Sequence, residues 1–257
     1  MIFIGERINT GFKDIKQGVT DKDPAPLVHW ATKQAEAGAG FLDVNLGAVS
    51  ADPADMCWMI ETVQGAVETP ICIDTNKPTI LAEAIKVTRP GMLINSTTAA
   101  PEKLDVMMPI AAEHGACIIG LVMDESGTPK SVDKRVENAG MIVAKAMECG
   151  MEPDRVFLDP IVMPLKYMQD QCKMILEAVR QFQLFSDPPP NTVCGLSNIS
   201  NGTTQKSLID RTFLVMAINN GMSSAICDVM DTELVNAALT AELMMDKQIY
   251  ADAYVRK

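Results

Sequence analysis

The sequence has very few of the side chains that several large classes of site require. Its 2 histidines, His29 and His114, both fall in predicted helices, and none of its 7 cysteines occurs in a C-x-x-C pair. A Ser-His-Asp triad and a zinc centre built from His and Cys are therefore not expected. No G-x-G-x-x-G or G-x-x-x-x-G-K-[ST] loop occurs either, which disfavours a nucleotide-phosphate site. We predict that this chain binds no metal.

Basic stretches and long apolar stretches are also missing. The net charge at pH 7 is −11 with no basic stripe, which argues against a nucleic-acid partner. No uncharged apolar run reaches about 18 residues. The first residues include Glu6 and Arg7, where a signal peptide would be apolar. Four cysteines lie within apolar runs, where Cys behaves as a small buried hydrophobe. These features predict a cytoplasmic protein with reduced thiols and no membrane association.

What the sequence does contain is a polar residue at the end of one apolar run after another. Eight short runs rich in β-branched residues or Cys alternate with helix-like segments along the 257 residues. Eight such cycles in about 250 residues are typical of a (β/α)8 TIM barrel, whose active site lies at the carboxyl ends of the strands. The predicted strands are 2–5, 40–45, 71–74, 92–95, 117–123, 156–158, 192–196 and 224–228.

The barrel is predicted to use the whole chain, residues 1–257, as a single α/β domain. A hydrophobic content of 47% is ample for a large core, and no linker or low-complexity tract interrupts the cycles. We expect the polar segment 9–23 to be a loop that folds over the mouth of the barrel. The alternative, a doubly wound sheet, would want a Gly-rich turn after the first strand, and GERIN has a single glycine there.

Four of the predicted strand ends carry a set of two carboxylates and two amides: Asp74, Asn95, Asp159 and Asn198. A carboxylate can accept two parallel N–H bonds from an amidine-like edge, and an amide can pair with a neighbouring N–H or C=O. The set therefore suits recognition of a flat, nitrogen-rich heterocycle. The alternative for each residue is a capping or loop-bracing role, as an Asp before Pro often has in turns.

The motifs at the strand ends occur in a specific order: GERIN, LDVN, CIDT, INST, LDP and GLSN. In this order they resemble the pterin-binding barrel enzymes, and more narrowly the methyltetrahydrofolate:corrinoid protein methyltransferases, over essentially the whole chain. The resemblance implies that Asp74, Asn95 and Asp159 bind the pterin ring and that Asn198 lies beside N5, as the catalytic residue. The other residues predicted to bind or support the substrate are Glu6, Asp43, Asn45, Ser197 and Lys206.

The reaction implied by the resemblance moves a methyl group between N5 of tetrahydrofolate and the cobalt of a corrinoid. The amine leaves poorly unless N5 is protonated or accepts a hydrogen bond as charge develops. Asn198 can donate that bond but cannot supply a proton, so water or a relay is required. The chain lacks the Asp-x-His-x-x-Gly corrinoid signature, which predicts that a separate protein carries the corrinoid. The resemblance also implies a homodimer working in one-carbon metabolism.

Other functions stay open at this point. A dihydropteroate synthase-like condensing enzyme would want basic residues for a pyrophosphate leaving group at the ends of strands seven and eight, where this chain has GLSN and CDVMD. A barrel lyase would want Lys or metal ligands at strand ends, and no predicted strand ends in Lys or His. A pterin-binding module without catalysis is the remaining alternative, and the direction of methyl transfer is not encoded in these motifs.

Overall fold

The apolar runs of the sequence all become parallel strands of one sheet. Residues 1–255 are described in this computed structural model, and their strands pair in the order β7-β6-β5-β4-β3-β2-β1-β8. A parallel bridge between Gly195 and Ile226 joins the two ends of the sheet, so the predicted (β/α)8 barrel is confirmed. The strands are β1 Ile2–Asn9, β2 Phe41–Asn45, β3 Ile71–Asp74, β4 Leu93–Thr98, β5 Cys117–Leu121, β6 Val156–Asp159, β7 Asn191–Thr192 and β8 Ser224–Cys227.

Helices follow the strands and cover the outside of the barrel. Three of them begin at a proline, whose missing N–H costs nothing in the first turn. The helices are α1 Lys13–Asp21, α2 Ala25–Glu36, α3 Pro53–Ala66, α4 Pro78–Val87, α5 Pro101–Glu113, α6 Val132–Glu148, α7 Gln171–Phe182, α8 Lys206–Asn219 and α9 Thr232–Met244. Within residues 1–255, no helix has both the length and the apolar character that crossing a bilayer requires.

The segment between β1 and α2 differs from the prediction. It was expected to be a loop over residues 9–23, but Lys13–Asp21 forms the helix α1. Ile15, Gly18 and Val19 are buried at the i, i+3 and i+4 spacing of one helix face. Three buried positions are too few to stand out in a stretch that is otherwise charged and polar. Packing against the barrel therefore determines this helix more than its composition does.

Strands β1 and β7 also differ from their predicted lengths. The first strand continues past Gly5 to Asn9, so Glu6 lies within the strand and not after it. The seventh was expected over 192–196, but only Asn191–Thr192 is strand, and Leu196–Asn198 forms a 3-10 turn. Because the chain turns there, the Ser197 and Asn198 side chains project from a turn at the mouth, where both residues are exposed.

The two-residue period of the strands explains where the polar residues lie. Ile4, Cys72, Leu93, Ile119, Phe157 and Val193 form one apolar cluster inside the barrel. Side chains two residues further along a strand point to the same side, one layer higher. On five of these six strands that next residue is Glu6, Asp74, Asn95, Leu121 or Asp159. This apolar cluster therefore lies directly below a largely polar layer of side chains at the carboxyl ends of the strands.

Candidate active site

The ends of β2, β3 and β4 form one hydrogen-bonded group. Asn45 pairs with Asp74 in the register of β2 and β3, and Asp74 pairs with Asn95 in the register of β3 and β4. The Asn45 amide donates a hydrogen bond to Asp74 Oδ2, and Asn95 Nδ2 donates to Asp43 Oδ1 at 3.1 Å. The structure thus brings together four of the residues that were predicted from the sequence as binding or supporting groups.

Asp43 and Asp74 form a carboxyl pair within this group. Asp43 is 3% exposed, and burial raises its pKa well above the usual range, with the Asp74 charge adding to the rise. Burial also raises the pKa of Asp74 to about 6, opposed by hydrogen bonds from Asn45 and Asp43. Two close carboxylates cannot both ionise cheaply, so one proton stays in the pair. The pKa of Asp43 is raised more strongly than that of Asp74, so within the pair Asp43 is the better proton holder and Asp74 the better acceptor.

Asp159 is the buried carboxylate of β6. It is 9% exposed, and burial raises its pKa to about 7, partly offset by backbone N–H bonds from Ile161 and Gly195. The bond from Ile161 N to Oδ1 is 2.8 Å long, and Ile161 has a φ of 64°, a left-handed conformation that a β-branched residue rarely adopts. Arg135 of α6, which is fully buried, donates from Nε to the Pro160 carbonyl at 3.0 Å. The turn after β6 is therefore held from both sides, and it orients Asp159.

A second acidic group lies where β1, β8 and the 3-10 turn meet. Glu6 Oε2 accepts a hydrogen bond from Ser197 Oγ at 3.3 Å. Burial raises the pKa of Glu6 to about 7, and the charges of Asp228 and Asp210 add to the rise. These residues and Asp231 line a small cavity of about 130 Å³. Glu6 therefore titrates far closer to neutral pH than an exposed glutamate does.

A larger cavity opens at the ends of β2–β4. We call it the ring cavity; its volume is about 390 Å³, which lies within the usual range for small-molecule sites. Its lining includes Asn45, Asp74 and Asn95 together with Lys77 and Leu121. It can therefore offer a carboxylate and two amides to a planar ligand, with an apolar contact from Leu121.

Asn198 and Lys206 lie outside this hydrogen-bonded group. Asn198 is exposed, and among residues 1–255 its side-chain amide has no hydrogen-bond partner, so it is available to a ligand. Lys206 is exposed at the start of α8; burial raises the pKa of Asp210, and the charge of Lys206 offsets part of that rise. The binding and catalytic roles of both residues, and those of the other strand-end residues, stay predictions.

Several residues that shape the site could not be identified from the sequence patterns. Arg135 looked like an ordinary helical charge, and Lys77, Lys16 and Gly47 carried no motif of their own. The sequence signal for Lys77 is its position just after the CIDTN run. Arg135 has no such signal, because its burial on α6 is seen only in the tertiary structure. Across the residues described, no three His, Cys, Asp or Glu side chains are grouped as metal ligands would be.

The raised carboxyl pKa values predict opposite pH dependences for stability and for ligand binding. Asp159, Glu6 and Asp74 rise from usual values of 3.8, 4.5 and 3.8 to about 7, 7 and 6. Between about pH 4 and about pH 7 the folded protein binds more protons than the unfolded chain does. The free energy of unfolding of the unliganded protein should therefore fall as the pH rises through this window. A ligand held by carboxylates should bind more tightly over the same rise.

Both dependences are measurable on one preparation. Urea denaturation midpoints and calorimetric ligand affinities, each followed from about pH 5 to about pH 8, give the two curves. Asp159→Asn removes one titrating group and should flatten both. A stability curve that rises over this window would contradict the carboxyl environments described above.

Comparison with known proteins places these residues in a family. The model of the pterin binding enzyme family matches residues 5–228. A methylcorrinoid:tetrahydrofolate methyltransferase of Eubacterium limosum is 32% identical over 251 residues, which cover 95% of this chain and 91% of that protein. Methionine synthases of Mycobacterium tuberculosis and Mycobacterium leprae are 26% identical over 240 residues. This chain spans only 20% of the length of those two proteins.

Solved structures agree on the fold. A Yersinia pestis DHPS bound to a pterine-sulfa conjugate superposes with a TM-score of 0.68 at 14% identity, covering 96% of this chain and 94% of that chain. A dihydropteroate synthetase solved with a product superposes with a TM-score of 0.69, also at 14% identity, over 95% and 94% of the two chains. At such low identity the likeness shows the fold alone.

Proposed function

This chain belongs to the pterin binding enzyme family and is a methyltransferase, and we propose that it moves a methyl group between N5 of tetrahydrofolate and the cobalt of a corrinoid held by a separate protein. The observation that carries the proposal is the hydrogen-bonded acid–amide group at the carboxyl ends of β2, β3 and β4, together with the buried carboxylate of Asp159 at the end of β6. Such a set of side chains matches the alternating donors and acceptors of a pterin.

In this proposal Asp159 binds the end of the ring that carries the 2-amino group. The 2-amino group and N3–H present two parallel donors, which an anionic carboxylate can accept together. Asp74 and Asn95 pair with the nitrogens along one flank. Asp43, whose pKa is raised well above its usual range by burial and by the Asp74 charge, would hold the proton of the pair and leave Asp74 as the acceptor.

Asn198 acts at N5 in this proposal. Its exposed amide can donate a hydrogen bond to N5 as charge develops there, which lowers the barrier more than it tightens substrate binding. The proton itself must come from elsewhere. Glu6, with a pKa of about 7 and a hydrogen bond to Ser197, the neighbour of Asn198, is the nearest suitable reservoir on this side of the mouth. It would pass the proton through water.

The same groups serve both directions of transfer, because each step is reversible through the same transition state. The relative from Eubacterium limosum is named for transfer from methylcorrinoid to tetrahydrofolate, and the methionine synthases are named for methionine formation. Residues that bind the ring and N5 do not distinguish the two directions. The experiment must therefore test both.

The test mixes the purified chain with methyltetrahydrofolate and reduced free cobalamin and follows the cobalt spectrum. We expect the reduced-cobalt band to decay into that of methylcobalamin, and the reverse change when methylcobalamin is mixed with tetrahydrofolate. Asp159→Asn serves as the impaired control. The proposal would be wrong if the cobalt spectrum does not change in either direction. Release of pyrophosphate when the protein is mixed with a pterin pyrophosphate and p-aminobenzoate would then identify it as a condensing enzyme.

The predicted homodimer and cytoplasmic location are part of the same proposal. Both come from the family resemblance and from the amino-acid composition. Sedimentation equilibrium of the purified protein should give twice the chain mass of 27.8 kDa. A monomer at micromolar concentration would contradict the dimer without affecting the methyl-transfer proposal.

A further inference from the structure

The positions of the strands determine where a bound folate would direct its side arm. Asp159 lies on β6, and β2 is four strands away in the sheet order, on the opposite wall of an eight-stranded barrel. In a pterin, C6 lies diagonally across the bicycle from the 2-amino group. A ring whose 2-amino end sits on Asp159 therefore directs C6, and the p-aminobenzoyl-glutamate arm attached to it, toward the ends of β1 and β2.

A second cavity lies at that point of the mouth. We call it the arm cavity; its volume is about 430 Å³, and its lining includes Thr10, Lys16, Asn45, Gly47 and Val49. Asn45 and Gly47 also line the ring cavity, so the two cavities are adjacent. Gly47 has a φ of 58°, and a Cβ there would come within 2.5 Å of Thr10 Oγ1. The junction between the two cavities thus depends on a residue without a side chain.

The arm cavity differs in charge from the small cavity that Glu6 lines. Of the described residues, 1–255, no acidic one lines the arm cavity, whereas Glu6, Asp210, Asp228 and Asp231 line the small cavity next to β8. A glutamate arm carries at least two carboxylates, which those four acidic groups would repel. The arm cavity contains Lys16, and the ring cavity contains Lys77. Within residues 1–255 neither lysine belongs to an ion pair.

We propose that the arm cavity receives the p-aminobenzoyl-glutamate arm of the folate and that Lys16 and Lys77 pair with its carboxylates, an inference that rests on the proposed function. Val49 offers the aromatic ring of the arm an apolar contact. With the arm directed over β1 and β2, the N5 flank by the 3-10 turn stays open to the corrinoid partner. The protein would therefore bind folates with additional glutamates more tightly, because the added carboxylates would lie near Lys16 and Lys77.

The test compares three ligands by calorimetry: 6-methyltetrahydropterin, which has no arm, tetrahydrofolate with one glutamate, and tetrahydrofolate with three. Lys16→Gln and Lys77→Gln should each weaken the monoglutamate by about two- to fivefold, the usual range for an exposed ion pair. The loss should be larger for the triglutamate and should shrink at high salt. Affinity for the armless pterin should not change in Lys16→Gln, because Lys16 lines the arm cavity and not the ring cavity. Lys13→Gln, an exposed lysine of α1 that does not line the cavity, is the charge-matched control.

The outcomes separate this inference from the function on which it rests. If Lys16→Gln and Lys13→Gln have equal effects, or if armless pterin is weakened as much as folate, the arm does not pair with Lys16 and the inference is wrong. The inference is also wrong if Lys206→Gln lowers the affinity for the folates while Lys16→Gln and Lys77→Gln do not, because the arm would then lie beside α8. If the wild-type protein binds neither the folates nor the armless pterin, the proposed function itself fails, and this inference fails with it.

Discussion

Replacing Asn198 with alanine should slow methyl transfer ten- to a hundredfold while changing folate affinity much less. Loss of a hydrogen-bond donor aimed at developing charge typically costs about 2.7–4 kcal/mol. We expect about 1.5–3 kcal/mol here, because Asn198 is exposed and water can partly replace its amide. Losing an interaction that strengthens only in the transition state lowers the rate and leaves substrate binding nearly intact.

Single-turnover transfer from methyltetrahydrofolate to free reduced cobalamin measures this step without docking of the partner protein. Asn201→Ala is a matched control, because Asn201 is also exposed and lies just after the same turn. It should transfer methyl at close to the wild-type rate. A wild-type rate in Asn198→Ala would mean that Asn198 only braces the turn and that N5 is activated by another group.

Replacing Asp159 with asparagine should weaken folate binding by about ten- to 150-fold. The change removes a charged hydrogen-bond acceptor, worth about 1.5–3 kcal/mol. It also places an N–H₂ group where the ring presents donors. The size of the side chain is kept, and its remaining oxygen can still accept the N–H of Ile161, so the turn after β6 should survive. The affinity loss should therefore occur in a folded protein, whose unfolding transition stays cooperative and changes only in its pH dependence.

Titration calorimetry with tetrahydrofolate checks this expectation. Asp124→Asn is the control: Asp124 follows β5, another strand of the same barrel, but its carboxylate is paired with Lys134 at 3.0 Å. It should bind folate as the wild type does. If both Asp159→Asn and Asp74→Asn keep the wild-type affinity, the assignment of the ring to these strand ends is wrong.

The strand-end residues could be predicted from the sequence because their spacing is local. An apolar run that ends in Asp or Asn, followed by a helix start such as Asp52-Pro53 or Pro78, is a short-range pattern that a parallel barrel repeats. The third strand was predicted with its observed bounds, Ile71–Asp74. Helix α1 and the shortened β7 were not predicted, because tertiary packing and not local composition decides both.

The sequence by itself determined which residues reach the mouth of the barrel, since a period of two places Glu6, Asp74 and Asp159 on the inner side of their strands. Only the tertiary structure decided their chemical state. The pKa values of Asp43 and Asp74 are raised because β2 and β3 bring the two carboxyls together away from solvent. Asp159 is oriented because Arg135, from α6, holds the Pro160 carbonyl. Burial, neighbouring charge and donors from distant segments set a pKa, and these depend on contacts between residues far apart in the chain.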